Sequence, residues 1–157
     1  MLRLRALAHS IRLTTPPVRL LGTTAARGKD PWPLPHTPEH LASTATPSDM
    51  PPPEPLPRPG ESVEKLRARL VYQSRKRGTL ESDLLLSTFA KEQLPTMSEA
   101  ELKEFDKLMD EPDWDIYYWA TESRTPPERW AGSALLEKLK VHAKNEGKAV
   151  RRMPDLS

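Results

Sequence analysis

Between residues 61 and 147 apolar side chains recur every three or four positions, the period of helices that each bury one face. Val63, Leu66, Leu70 and Val71 form the stripe of a first helix, with Ser62 placed to cap it. Gly78 is expected to end that helix as a C′ glycine, where positive φ is cheap only without a Cβ. A second helix starts near Thr79 and sets Glu81 and Asp83 in its positive first turn. It is expected to bury Leu80, Leu84, Leu85 and Phe89 before Pro95 ends it. Ser98 and Glu101 have the spacing of a capping box for a third helix, with the stripe Leu102, Phe105, Leu108 and Met109. Pro112-Asp113 opens a short fourth helix carrying Ile116, Tyr117, Trp119 and Ala120. Thr125 to Glu128 reads as a second capping box, opening a fifth helix through Trp130, Leu135, Leu136 and Leu139 toward Gly147. With no alternating strand pattern, the expected fold class is all-α: a compact five-helix bundle preceded by a disordered N-terminal segment.

Composition divides the chain around that bundle. Of 18 prolines in 157 residues, 13 fall within residues 16–59, a density through which no core can be built. Residues 30–60 are therefore expected to be a Pro-rich disordered linker, residues 61–147 the folded domain, and residues 148–157 a basic disordered tail. Residues 1–29 carry Arg3, Arg5, Arg12, Arg19, Arg27 and Lys29 and no acid. Leu2, Leu4, Leu7, Ala8, Ile11 and Leu13 recur between these cations at helical spacing, the composition of a mitochondrial transit peptide. No apolar run approaches the ~20 residues of a membrane span, so no membrane insertion is expected. Cysteine is absent, which excludes disulfides, thiolate metal sites and a cysteine nucleophile.

Charge is segregated within the bundle. Residues 61–77 hold Lys65, Arg67, Arg69, Arg75, Lys76 and Arg77 against two glutamates, whereas residues 79–115 hold eleven carboxylates against Lys91, Lys103 and Lys107. A nucleic-acid module would need a net positive face, but the chain from Glu61 onward has 17 basic and 18 acidic residues. His142 is the one histidine inside the bundle, and neither metal-ligand spacing nor a Gly-rich phosphate loop is present. Asp110, Glu111, Asp113 and Asp115 match no EF-hand order and read as acid-rich helix starts. No catalytic residues and no metal site are expected, and the chain is not read as an enzyme. Arg77-Gly78-Thr79-Leu80-Glu81 is more pointed, because Gly78 brings backbone near the surface between a cationic helix end and an acidic helix start. Glu81 has the spacing to pair with Arg77, or each is offered outward. A plain helix C-cap and a partner contact both fit this junction.

The run from Arg75 to Asp83 resembles the RGxxE signature of the succinate dehydrogenase assembly factor 2 family of flavinylation factors. Leu108 to Trp119 resembles that family's second hallmark, an acidic turn entering Asp-(Leu/Ile)-(Phe/Tyr)-x-Trp. The likeness spans residues 62–145. It implies a five-helix bundle, monomeric when free, that acts in the mitochondrial matrix. The implied partner is the flavoprotein subunit of succinate dehydrogenase (complex II), to which the family promotes covalent attachment of FAD. The helper itself would hold no cofactor stably; the FAD belongs to its partner. Carried onto this chain, Arg77, Gly78 and Glu81 would form the contact patch, supported by Arg75, Asp83 and Tyr117. A structural subunit of a mitochondrial complex is the alternative, with permanent rather than transient association.

Overall fold

The computed structural model describes residues 32–47, 50, 51, 54 and 56–156; the expected transit peptide lies outside the described residues. The chain divides into two units, residues 1–32 and 33–157, and of the first only Trp32 is described. Among the described residues all regular structure is helical: α1 (Pro38–Ser43), α2 (Val63–Ser74), α3 (Leu80–Gln93), α4 (Glu99–Met109), α5 (Asp113–Ala120), α6 (Glu128–Ala131) and α7 (Ala134–Lys144). The all-helical class holds, while the count of five becomes seven. One added helix lies in the proline-rich segment, and the expected fifth helix is two.

The caps explain most of the boundaries. Ser62 accepts from the Lys65 N–H and opens α2. Ser98 and Glu101 form a full capping box on α4, with Ser98 N–H donating to Glu101 at 2.9 Å and Glu101 N–H to Ser98 Oγ at 3.4 Å. The second expected box fails, since Pro127 stands at the N-cap of α6 and no side chain bonds there. Gly132 and Ser133 then break the helix. Ser133 Oγ accepts from Leu136 N–H at 3.0 Å to start α7 and donates to Glu104 at 2.7 Å, which ties this break to α4. Asn145 at φ 47° ends α7, so the helix stops short of Gly147.

α2 packs on α3 and α4, α5 on α7 and α3, and α7 also reaches α3 and α4. Leu70, Leu86, Phe89, Leu102, Phe105, Leu108, Ile116, Leu136 and Leu139 are fully buried between them. Each such side chain contributes roughly 1.5–3 kcal/mol of transfer free energy. The third-helix stripe is buried as expected; of the second, Leu85 and Phe89 are buried as expected, but Leu80 and Leu84 are not. Leu80 is 66% exposed and Leu84 half-buried, while Ser82, Leu85, Leu86 and Phe89 face inward. Burial of Leu85, Leu86 and Phe89 sets the phase of α3, and Ser82 is accommodated on the inner face because its hydroxyl bonds the Asp113 carbonyl at 3.3 Å.

Two arginines stitch the bundle. Arg69 bonds Asp106 on α4 at 2.6 Å and Glu61 at 2.6 Å, and Arg67 covers the carbonyls of Leu94 (2.8 Å) and Met97 (3.2 Å) past the end of α3. These side chains are committed to carboxylates and carbonyls, which removes them from any phosphate-binding face.

Part of the segment expected as a disordered linker, residues 36–46, folds onto α5. Thr37 caps α1, and His40 is buried with Nδ1 2.7 Å from Tyr118 Oη and its ring edge-on to Trp114, centroids 4.5 Å apart. His36 N–H donates to the same Tyr118 hydroxyl at 3.1 Å. Arg124 donates to Leu41 O at 2.5 Å and to buried Asp115, which also accepts from Thr46. A proline-rich composition predicted disorder because the aromatic face that orders this stretch lies about eighty residues away in sequence. The expected disordered tail is likewise placed. Arg151 donates to the carbonyl of His142, and Arg75 to that of Pro154.

Candidate functional site

α2 ends at Ser74, and three residues later the chain reaches the Arg77-Gly78 turn. Gly78 is not a C′ glycine at positive φ: the only described glycine there is Gly60. What the position requires is space. A Cβ on Gly78 would stand 2.8 Å from Asp113 Oδ2, and the Gly78 N–H donates to that same oxygen at 2.5 Å.

Asp113 is the hub. Its Oδ1 accepts from Arg77 Nε at 2.5 Å, and its carbonyl accepts from Ser82. The remaining Arg77 nitrogens cover the carbonyls of Met109 (2.9 Å) and Glu111 (3.3 Å), where a cation meets the negative end of α4. The Arg77 N–H donates to Asp83 Oδ1 at 2.6 Å, and Thr79 Oγ1 accepts from Ser82 N–H to cap α3. The start of α3, the end of α4 and the start of α5 are thus joined at one turn. The two sequence motifs, more than thirty residues apart, meet through a single carboxylate.

This geometry divides the six expected contact residues. The Arg77 side chain is only 11% exposed and Asp113 18%, so Arg77 and Asp83 hold the turn instead of facing outward. Gly78 is exposed, as are Leu80 and Glu81. Arg77 pairs with Asp113, and Glu81 makes no hydrogen bond or ion pair among the described residues. Tyr117 is half-buried and shares with Glu81 an open groove of about 380 Å³, walled further by Thr121, Asn145 and Arg151. Burial, and then the Glu81 carboxylate, push the Tyr117 phenol above its ordinary value. Its hydroxyl lies 3.3 Å from His36 Nε2. Arg75 belongs elsewhere, on a second groove beside the C-terminal segment.

The acidic cluster is also resolved. Asp113 takes Arg77, Asp115 takes Arg124, and buried Glu111 takes a two-pronged contact from Arg129 (2.8 Å each) plus Trp130 Nε1 at 2.7 Å. Burial alone would raise the Glu111 carboxyl, but the bonds from Arg129 and Trp130 outweigh it and hold it below its ordinary value. Trp114 packs inward, stacked on Tyr118 at 5.6 Å. The His142 side chain is 13% exposed, between Thr88 and Glu92. Asp113 and Ser82 escaped sequence reasoning. An acid at a helix start is explained locally by the helix dipole, and nothing local shows that its carboxylate closes a distant turn.

The family described as "flavinator of succinate dehydrogenase" matches residues 68–143. A protein of Cryptococcus neoformans var. neoformans serotype D, named succinate dehydrogenase assembly factor 2, mitochondrial, is 54% identical, covering 98% of this chain and 94% of its own. Proteins of the same name from Yarrowia lipolytica and Kluyveromyces lactis are 59% and 56% identical over 66% of this chain, and over 73% and 65% of theirs.

Proposed function

Because this chain belongs to the succinate dehydrogenase flavinators, assembly factors whose named relatives are mitochondrial, we propose that it binds the flavoprotein subunit of that enzyme in the mitochondrial matrix and promotes covalent attachment of FAD. The observation that carries this reading is the junction at Gly78. Exposed backbone stands there beside an exposed, unpaired Glu81, on a turn clamped from behind by Arg77 and Asp113. A rigid turn offering backbone and one carboxylate suits a protein partner, because little conformational freedom is lost on docking.

The chain supplies no catalytic group and holds no flavin of its own; the FAD is the partner's. Joining FAD covalently to the flavoprotein requires the reacting side chain and the flavin to be aligned and charge on the flavin to be stabilised. A helper that favours the aligned arrangement of the flavoprotein speeds the step through position alone. Free, the helper is a monomer.

The test is covalent flavin in the succinate dehydrogenase flavoprotein, read as protein-bound fluorescence after denaturation. Flavoprotein would be produced alone, with this chain, and with its Glu81→Ala variant. Covalent flavin is expected with the wild type and reduced with Glu81→Ala. A signal indifferent to the chain would overturn the reading in favour of a structural subunit.

A further inference from the structure

Outside the Gly78 junction, the side of the bundle at Arg75 carries a second groove, of about 180 Å³. Val71, Ala90 and Leu94 give it an apolar floor, with Ala90 and Leu94 only 2% and 1% exposed. Arg67, Arg75 and Lys91 stand around that floor, and no carboxylate of the bundle lines it. Residues 154–156 form one wall of it. Pro154, Asp155 and Leu156 lie along the groove, with the Pro154 carbonyl accepting from Arg75 Nη1. Arg67 is spent on the Leu94 and Met97 carbonyls, so the cations free to meet a carboxylate are Arg75 and Lys91.

The seated segment is weakly held. Asp155 and Leu156 are exposed, Leu156 by 74%, and the Arg75 bond to Pro154 is the one hydrogen bond between this groove and the segment among the described residues. A cationic rim over an apolar floor fits an acidic residue flanked by apolar ones, and the sequence Pro154-Asp155-Leu156 has that chemistry. We propose that this groove is a second docking site for the partner, taking an acidic, apolar-flanked segment of the flavoprotein, and that residues 154–156 occupy it as a stand-in while the chain is free. The proposal rests on the flavoprotein being the partner. It accounts for the Arg75 side chain, which the Gly78 junction does not use.

A self-occupied site weakens the observed affinity by the fraction of molecules in which it is open. If the tail fills the groove in nine of ten molecules, deleting it tightens binding about tenfold. Labelled flavoprotein would be titrated with the full chain, with the chain lacking residues 154–157, and with that truncated chain carrying Arg75→Glu. The truncated chain should bind at least threefold more tightly on the order set by that arithmetic. Arg75→Glu should abolish the gain, and an added peptide of residues 150–157 should compete with the flavoprotein for the truncated chain. Equal or weaker binding after truncation, or a peptide without effect, overturns the groove as a docking site and leaves the Gly78 junction standing. If neither form binds the flavoprotein, the proposed function fails and this site's partner with it.

Discussion

Replacing Gly78 by alanine adds one carbon, and that carbon would stand 2.8 Å from Asp113 Oδ2. Such a contact cannot persist. Asp113 is a side chain and so can swing, but it is held by the Gly78 N–H and by Arg77 Nε, each at 2.5 Å. Moving it gives up two charge-assisted hydrogen bonds, each worth roughly 1.5–3 kcal/mol. The Arg77 guanidinium keeps the Met109 and Glu111 carbonyls, so part of that loss is recovered. A net cost of about 2–4 kcal/mol follows. For a domain near 100 residues that corresponds to a fall in Tm on the order of 10–20 °C. The sign is informative. Gly78 is not at positive φ, so without the contact alanine would stabilise by about 0.4–1 kcal/mol through the unfolded chain. Urea unfolding followed by circular dichroism gives both numbers, for Gly78→Ala alone and in an Asp113→Ala background. The cost should disappear or reverse once Asp113 is gone. An equal cost in both backgrounds, or a cost below about 0.5 kcal/mol in the single variant, would refute the Asp113 contact as the reason for glycine.

Three further outcomes follow from the same contacts. Glu81→Ala should leave stability within about 0.5 kcal/mol of wild type, as for a surface change, and should lower the Tyr117 titration seen by ultraviolet absorbance, although burial keeps it above the ordinary value. A Tyr117 titration unmoved by the substitution would separate the two residues. Arg124→Met strands the buried Asp115 carboxylate and should cost about 3–5 kcal/mol, while freeing residues 33–46 for limited proteolysis; unchanged melting with intact protection would count against that anchor. Glu111 has a folded-state value below its ordinary 4.5, so its contribution is present above pH 4.5 and is lost as pH falls through the lower folded value. Thermal melts should therefore separate wild type from Glu111→Gln at pH 7, and the gap should shrink as pH falls below 4.5; a gap independent of pH would exclude the Arg129 pairing as its source.

How much of this was legible in the sequence depends on the range of the interaction involved. Apolar periodicity, the Ser62 and Ser98 caps and the stripe Leu102, Phe105, Leu108 and Met109 are local, and the all-helical class with its α2, α4 and α5 positions followed from them. The RGxxE run and the acidic turn near Trp114 were also legible, as two motifs whose family the comparisons with known proteins bear out. What they do to each other was not. Only the folded chain brings Asp113 under Gly78, which turns Arg77 from an outward contact into a clamp and leaves Glu81 exposed. α3 likewise buries Ser82, whose hydroxyl meets the Asp113 carbonyl, and leaves Leu80 exposed. Proline density predicted disorder for residues 30–60, yet Tyr118, Trp114 and Arg124 offer ring faces and a guanidinium that order α1. Hydrophobic period and capping act within a few residues and are written in the sequence. A hydrogen bond across more than thirty residues depends on where packing places both ends, and only the tertiary structure decides that.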